Sequence, residues 1–526
     1  MAHVDKFCAE RTPAPHDLPR LSFDLPELRY PELLNCAAVL LDEAVARFGP
    51  DRRCLVTEDA VLTYGDLDLL SGRIARVLAD DLGIVPGNRV LLRGANSPWL
   101  VAAWLGVLKA GAVAVTTMPL LRAHELAAIT QIARPSAALC DHRATGELAG
   151  VPVVAFGGDA PDDLAARCAG REPLPAVPTD AAETALLAFT SGTTGRPKAT
   201  LHCHRDVLAI ADTFSAHVLK PVPDDLFLGT PPIGFTFGLG GLVVFPLRAG
   251  ASVYLGEPGP GAGPLAETVE RVGATVLFTA PTVYRALLEQ GLAGRLSGLR
   301  RAVSAGEHLP ERVWHAFHEA TGIRLIDGIG ATEMLHVFIS AADGDIRPGA
   351  TGLPVPGYRA RIVDEDLREV PDGVPGLLAV QGPTGCRYLD DPRQRAYVRD
   401  GWNLTGDVYV RDADGYFWYQ ARSDDMIVSA GYNIAGPEVE RAVLDHPAVL
   451  DCGVAGVPDP GRGMIVKAFV VLRPGVPETA ETARGIQEFV KRSIAPYKYP
   501  RAVEFRAALP RSSNGKLLRR ELRPAA

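Results

Sequence analysis

Apolar positions along the chain follow two periods. From Asn35 to Phe48 they fall at helical spacing (Leu40, Leu41, Ala44, Val45, Phe48), which predicts a first helix. Leu62-Thr63-Tyr64, then Gly65-Asp66 and a periodic stretch through Leu78, predicts strand, cap and helix. Short apolar runs follow at Asn88–Leu92, Ala112–Val115, Ala137–Cys140, Val153–Phe156 and Ala185–Phe189, with a mostly apolar helix over Trp99–Ala110. A helix is expected over His204–Leu219, and strands at Asp225–Thr230, Thr275–Phe278, Arg301–Ser304 and Arg324–Asp327. Buried-type strands alternating with helices predict a largely parallel α/β arrangement. Residues 1–35 are Pro-rich and weakly periodic, a surface arm; Gly157–Asp180 is an acidic, Pro/Gly-rich loop.

The strand ends matter because open α/β sheets bind ligands beyond the C-terminal ends of their strands. Those at Thr279-Ala280-Pro281 and Ala305-Gly306-Glu307 run into small residues and should meet in one crevice.

The 526 residues exceed what one hydrophobic core holds, so two or more domains are expected. Apolar content of 47% and charged content of 22% are ordinary for a globular enzyme, and a net charge of −8 gives no basic footprint for nucleic acid. The eight cysteines are scattered without a Cys-x-x-Cys pair and read as buried thiols in a reducing compartment. His202-Cys203-His204 invites a metal reading, but adjacent residues rarely complete a ligand set. No apolar segment reaches the roughly 20 residues of a membrane span, and no apolar signal region opens the chain. A cytoplasmic protein with no membrane or nucleic-acid partner is expected, as monomer or homodimer.

The candidate chemistry begins at Thr190-Ser191-Gly192-Thr193-Thr194-Gly195-Arg196-Pro197-Lys198. Small residues and glycines let hydroxyls and successive N–H groups approach phosphate oxygens, and Lys198 adds a positive charge. The spacing is not that of a Walker loop. Further on, Asp327-Gly328-Ile329-Gly330-Ala331-Thr332-Glu333 offers a hydroxyl for phosphate and a carboxylate for Mg²⁺. Thr405-Gly406-Asp407 offers a carboxylate for ribose hydroxyls, and Arg422-Ser423-Asp424-Asp425 follows an aromatic run. Pro510 to Lys516 is a loop whose lysine, taken alone, reads as a solvated charge. Ile233–Gly241 mixes aromatics with glycines, which suits either a flat apolar slot or plain helix–sheet packing.

Taken in order, these five motifs resemble those of the adenylate-forming superfamily, which includes acyl-CoA synthetases, peptide-synthetase adenylation domains and luciferases. The resemblance covers nearly the whole chain. It implies a large N-terminal domain of mixed sheets and helices (1–423) and a small, mobile α+β C-terminal domain (424–526). It also implies ATP, Mg²⁺ and CoA. Thr190, Ser191, Gly192, Thr193, Thr194 and Lys198 are then expected at the β- and γ-phosphates, with Thr332 at the α-phosphate and Glu333 on Mg²⁺. Ser304 to Glu307, including Gly306, together with Asp327 and Gly328, line adenine. Asp407 and Arg422 fix the ribose. Lys516 bridges the substrate carboxylate and the nascent phosphate. Asp424 is the hinge, and Gly431 lines the pantetheine tunnel.

Two departures narrow the resemblance. Ile329 stands where the family usually has Tyr, and Phe235 where an aromatic-gate His is usual. Both are similar to benzoate–CoA and 2-aminobenzoate–CoA ligases, as are Asp327 to His336, Ala495 to Arg501, Asp24 to Leu28 and Leu34-Asn35-Cys36. Phe235 to Gly240 resembles the 2-aminobenzoate branch. The implied acyl pocket comprises Phe235, Phe237, Ala280, Gly306, Gly330 and His336, suited to a flat ring. His336 is either a packed, hydrogen-bonded histidine or a group that senses ring substituents. The expected activity is AMP-forming ligation of a small aromatic acid to CoA; alternatives are loading of a carrier protein, use of the adenylate in secondary metabolism, and a nucleotide-binding regulator without chemistry.

Overall fold

The computed structural model describes residues 3–191, 197–256, 259, 261–429, 432–459, 463–494, 498–511 and 517–522. The chain separates into two compact units, 1–360 with 380–403, and 361–379 with 404–526.

The first unit is built on two sheets. One has the spatial order Val153–Phe156, Ala137–Asp141, Arg89–Arg93, Val113–Thr117, Thr184–Ser191, Pro197–Cys203. All its neighbours are parallel except the last pair, an antiparallel hairpin. Burial of strands 89–93, 113–117 and 137–141 along their whole length explains their apolar runs. The helix Pro98–Lys109 is buried from Leu100 onward, against strands 89–93 and 113–117 and the helix Tyr64–Asp80. That helix starts at the expected place because Thr63 and Asp66 form a capping box.

The other sheet has nine strands. Its parallel centre runs Ile326–Gly330, Arg301–Ala305, Val276–Thr279, Leu226–Gly229, Ser252–Tyr254, Arg53–Val56. Antiparallel strands Val337–Ser340, Leu353–Pro354 and Val61–Thr63 complete its edges. The helix expected from His204 to Leu219 is present, but from Ala211 it is wound as a π-helix. The segment after Phe235 forms a second interrupted helix, with a π-helical stretch over Gly240–Val244. The N-terminal arm is tied down by Phe7, whose ring lies under the guanidinium groups of Arg11 and Arg89 at 4.1 and 4.2 Å.

The second unit holds the sheet Tyr432–Ala435, Met426–Ser429, Gly463–Leu472, Val449–Asp459, with Ala502–Phe505 parallel to 463–472. Helices Gly436–Leu444 and Ala480–Ser493 contribute Val439, Val443, Ile486 and Val490 to its core. It also takes in residues 361–379 and 404–423, which the sequence had placed with the N-terminal domain, so strands 376–381 and 402–411 each have residues in both units. The α/β class expected for the chain is the class observed.

Candidate active site

The phosphate-type motif sits on the hairpin of the six-stranded sheet. Thr190 pairs with Lys198 and Ser191 with Pro197. The tip, with Gly192, Thr193 and Thr194, lies outside the described residues, as do Gly431 and Lys516. Ser191 and Asp424 fall in described backbone, at a strand end and in the turn Ser423–Asp425.

Along strand 197–203 successive side chains take opposite faces, so Lys198, Thr200 and His202 share one face. Ala199 and Leu201 on the other enter an apolar cluster with Leu91, Val115 and Leu187. Residues 387–389 lie antiparallel beside this strand: Leu201 N–H donates to Arg387 O, Leu389 N–H to Ala199 O, and Thr200 bridges Tyr388. That places the Tyr388 hydroxyl between two charges. Lys198 Nζ is 2.6 Å from it, and it donates to Glu333 Oε1 at 2.5 Å. Lys198 Nζ also lies 3.5 Å from Glu333 Oε1. Burial, reinforced by the negative charge of Glu333, pushes the Tyr388 phenol far up, so it remains a donor.

Glu333 is 7% exposed, in the short turn Thr332–Met334 after strand 326–330. The turn ends at Leu335 with φ of 68°, a strained value for a residue with a Cβ. Oε1 takes both contacts, whereas Oε2 accepts no hydrogen bond among the described residues. A carboxylate with one oxygen fixed and the other available suits a hard divalent cation such as Mg²⁺.

Ala280, Gly306 and Gly330 stand at the C-terminal ends of three neighbouring parallel strands, with Thr279 opposite Ser304 and Ser304 opposite Asp327. Ser304 Oγ and Asp327 Oδ1 are buried and have no hydrogen-bond partner among the described residues. Burial pushes the Asp327 carboxyl well up, although part of the residue reaches the surface. An adenine edge, with its amino donor and ring-nitrogen acceptors, fits that unpaired donor and acceptor. Gly306 has φ of +89° and open space where a Cβ would stand, so backbone conformation is what requires glycine there.

Phe237 and His336 meet at 5.7 Å between ring centroids; Phe245 stands edge-on to His336 at 4.6 Å, and Phe214 is 5.3 Å away. A Cβ on Gly240 would lie 2.4 Å from the His336 ring. The glycines of this segment therefore let His336, and Phe278 beside Gly241, press against the helix. Gly330 is equally constrained, by the His336 carbonyl at 2.7 Å. Neither His336 nitrogen makes a hydrogen bond of normal geometry, although the Phe237 carbonyl is near enough to favour a proton slightly. Burial dominates and lowers its pKa to about 3, so the ring is neutral. Phe235 caps the start of this helix and is partly exposed.

In the second unit, Asp407 and Arg422 face each other on antiparallel strands 402–411 and 417–422. Arg422 Nη1 donates to Asp407 Oδ1 at 3.1 Å and to Thr405 O at 2.9 Å. Gly406, between them in sequence, has φ of 77°, and a Cβ there would approach Arg422 Nη2 to 2.9 Å.

Thr384, Arg387 and Tyr388 did not stand out in the sequence, and His202 did so only within the His202-Cys203-His204 string that invites a metal reading. His202 Nε2 is 2.8 Å from Thr332 O, and His204 Nδ1 is 3.2 Å from Cys36 Sγ. The strand period was the available signal for His202, since it puts that residue on the Lys198 face. All eight cysteines are buried free thiols. Among the described residues, no helix is long and apolar enough to cross a membrane.

The Lys198–Tyr388–Glu333 contact in the first unit and the Asp407–Arg422 pair in the second are each of a kind that an α/β enzyme acting on nucleotides employs. Residues 41–387 match the AMP-binding enzyme family and residues 438–516 its C-terminal domain, and the chain belongs to that family. It is 34% identical over 522 residues to a benzoate–CoA ligase of Thauera aromatica, covering 95% of this chain and 98% of that one. A crystal structure of an anthranilate CoA ligase in complex with anthranoyl-AMP superposes with a TM-score of 0.88 at 33% identity, covering 95% and 98% of the two chains. A benzoate CoA ligase from Burkholderia xenovorans LB400 gives 0.86 at 30% identity, covering 94% and 100%.

Proposed function

We propose that this protein is an AMP-forming aryl-acid–CoA ligase whose substrate is 2-aminobenzoate or benzoate. The observation that supports it most is the placement of Glu333. Its Oε1 lies beside the Lys198 ammonium while Oε2 accepts no hydrogen bond among the described residues, and three residues further on His336 enters an aromatic cluster.

In this reading the acid's carboxylate oxygen attacks the α-phosphorus of ATP, the bond to the β-phosphate oxygen breaks, and pyrophosphate leaves. Two anions meet, so positive charge carries most of the stabilisation. Glu333 holds Mg²⁺, which when bound neutralises phosphate oxygens. Thr190 to Thr194 and Lys198 orient the β- and γ-phosphates, Thr332 the α-phosphate, and Lys516 the reacting carboxylate. Ser304 to Glu307, Asp327 and Gly328 receive adenine; Asp407 and Arg422 receive the ribose. The CoA thiolate then attacks the acyl carbon and AMP departs. The chain turns about Asp424 between the steps, as a mobile domain from 424 onward, and Gly431 comes to line the pantetheine path. Phe235, Phe237, Ala280, Gly306, Gly330 and His336 surround the ring. Eight unpaired, buried thiols support a cytoplasmic setting.

The test is pyrophosphate release with ATP and Mg²⁺ over benzoate, 2-aminobenzoate, 2-hydroxybenzoate, cinnamate and medium-chain fatty acids, with and without CoA. Turnover confined to small benzoates and completed by CoA is expected. Turnover on cinnamates or fatty acids overturns the substrate assignment, and strong preference for a holo-carrier protein over CoA overturns the acceptor.

His336 offers a narrower expectation. In a pocket built of rings, losing one ring shifts discrimination by about 1–3 kcal/mol, roughly tenfold or more. His336→Ala is therefore expected to change the ratio of kcat/KM for 2-aminobenzoate and benzoate by about that factor while KM for ATP stays within about twofold. A defect confined to ATP returns His336 to a packing role.

A further inference from the structure

The turn that carries Glu333 is held by buried groups from outside it. His202 Nε2 is 2.8 Å from Thr332 O, and Thr384 Oγ1 donates to Met334 O at 2.8 Å. Thr332 O also accepts from Leu335 N–H, the residue in the left-handed conformation. A carbonyl only accepts, so His202 carries its proton on Nε2 and a lone pair on Nδ1. Behind the ring, Nδ1 lies 3.9 Å from Asp206 Oδ2. That oxygen accepts from Cys203 N–H at 2.8 Å and from Arg387. Arg387 precedes Tyr388 in sequence, and Tyr388 holds Glu333 Oε1. Both ends of the Thr332-Glu333 element are thus tied to strand 197–203 and the segment beside it, one through backbone and one through side chain.

We propose that His202 is a positioning residue for the adenylation step: by donating to the Thr332 carbonyl it fixes the strained turn so that Glu333 Oε2 is presented to the metal–nucleotide complex. The proposal rests on the reading of Glu333 as the Mg²⁺ carboxylate. His202 is completely buried and its pKa is lowered to about 4, chiefly by burial, so the donor is a neutral imidazole throughout the working range. Its field is set by Asp206 and Arg387 together, which leaves the site close to neutral. Burial is the largest single influence on the Arg387 guanidinium and opposes its charge, but Asp206 and the neighbouring Cys203 and Cys386 together more than offset it, so the group stays charged. Groups that orient a metal ligand without touching the metal typically carry about ten- to a hundredfold in affinity or rate.

The test compares His202→Gln, whose amide nitrogen reaches the Nε2 position, with His202→Asn, which is too short, and His202→Leu, which has no donor. Mn²⁺ binding in the presence of ATP, read by electron paramagnetic resonance, is the primary measurement because it needs no acid substrate. Wild type and His202→Gln are expected to agree within about threefold, while Asn and Leu weaken Mn²⁺ binding about tenfold or more. Adenylate formation should fall in parallel, and attack of CoA on preformed benzoyl-AMP should change less than about threefold. Unchanged Mn²⁺ affinity in His202→Leu overturns the proposal. So does an equal loss of both half-reactions, tracking a fall in melting temperature, in Asn and Leu without rescue by Gln. A wild-type protein that binds Mn²⁺ with ATP yet releases no pyrophosphate with any acid would remove the ligase reading and leave the Mn²⁺ comparison to judge His202.

Discussion

Lys516→Ala is expected to cut aryl-adenylate formation by about a hundredfold or more, the usual consequence of removing a group aimed at developing charge. Attack of CoA on preformed aryl-adenylate should stay within about threefold, because no pyrophosphate leaves in that step. Folding should be spared. Position 516 lies in sequence between Arg511 and Leu517, which form an antiparallel bridge. Arg511 Nη2 pairs with Asp451 Oδ2 at 2.7 Å, and Leu518 N–H donates to Pro510 O at 2.9 Å. Leu517 packs on a cluster of Ala455, Phe469, Leu509 and Leu522. These anchors lie on either side of position 516 and are made by other residues, so the change to alanine leaves them in place. ATP–pyrophosphate exchange reads the first step, and CoA consumption with synthetic benzoyl-AMP reads the second. Equal loss in both would mean that Lys516 does not divide the reaction as proposed, and that the turn about Asp424 has lost its motivation.

What was legible in the sequence was whatever a local pattern records. Val90 to Leu92 and Val113 to Val115 lie on parallel strands buried on both faces, and Leu186-Leu187 are as buried on a strand with one parallel and one antiparallel neighbour, which forces continuous apolar runs. Thr63 with Asp66 is a cap readable at a spacing of three. The ends of strands 276–279, 301–305 and 326–330 do neighbour one another, as the rule for open sheets predicts. Less legible was the helix after His204, because π-winding beyond Ala211 comes from packing rather than from a sequence period. Tyr388 was illegible for another reason. It joins Lys198 across 190 positions and Glu333 across 55, and nothing near it marks a tyrosine as a bridge. His202-Cys203-His204 misdirects as a string because the strand turns alternate side chains apart. His202 faces the Glu333 turn, whereas Cys203 Sγ donates to Ala182 O and accepts from Arg387. Ile233–Gly241 suited either a flat slot or plain helix packing, and at Gly240 and Gly241 packing is what is seen: a helix notched so that His336 and Phe278 fit against it.

Those long-range contacts give Glu333→Gln its expected outcome. The amide keeps one oxygen, which can still accept from the Tyr388 hydroxyl and lie near Lys198, so the turn retains its main anchor. Loss of the charge beside a partly buried ammonium costs stability on the order of 1–3 kcal/mol, a shift a melting curve resolves. The other position becomes an NH₂ group, which cannot ligate a cation. Mg²⁺-dependent adenylation should therefore fall about a hundred- to a thousandfold in kcat/KM. Raising Mg²⁺ should recover part of the loss, whereas raising the aromatic acid should recover none. Two comparisons test the assignment. Titrating Mg²⁺ at saturating ATP should move the half-saturation point upward in the variant and leave KM for the acid unchanged. A Tyr388→Phe variant, which removes the donor to Oε1 and the acceptor for Lys198 but keeps the carboxylate, should show a smaller shift in the same direction, about tenfold. If Glu333→Gln lost activity with an unaltered Mg²⁺ requirement, the carboxylate would be acting on the turn and not on the metal. The pairing of Lys198, Tyr388 and Glu333 would then be structural.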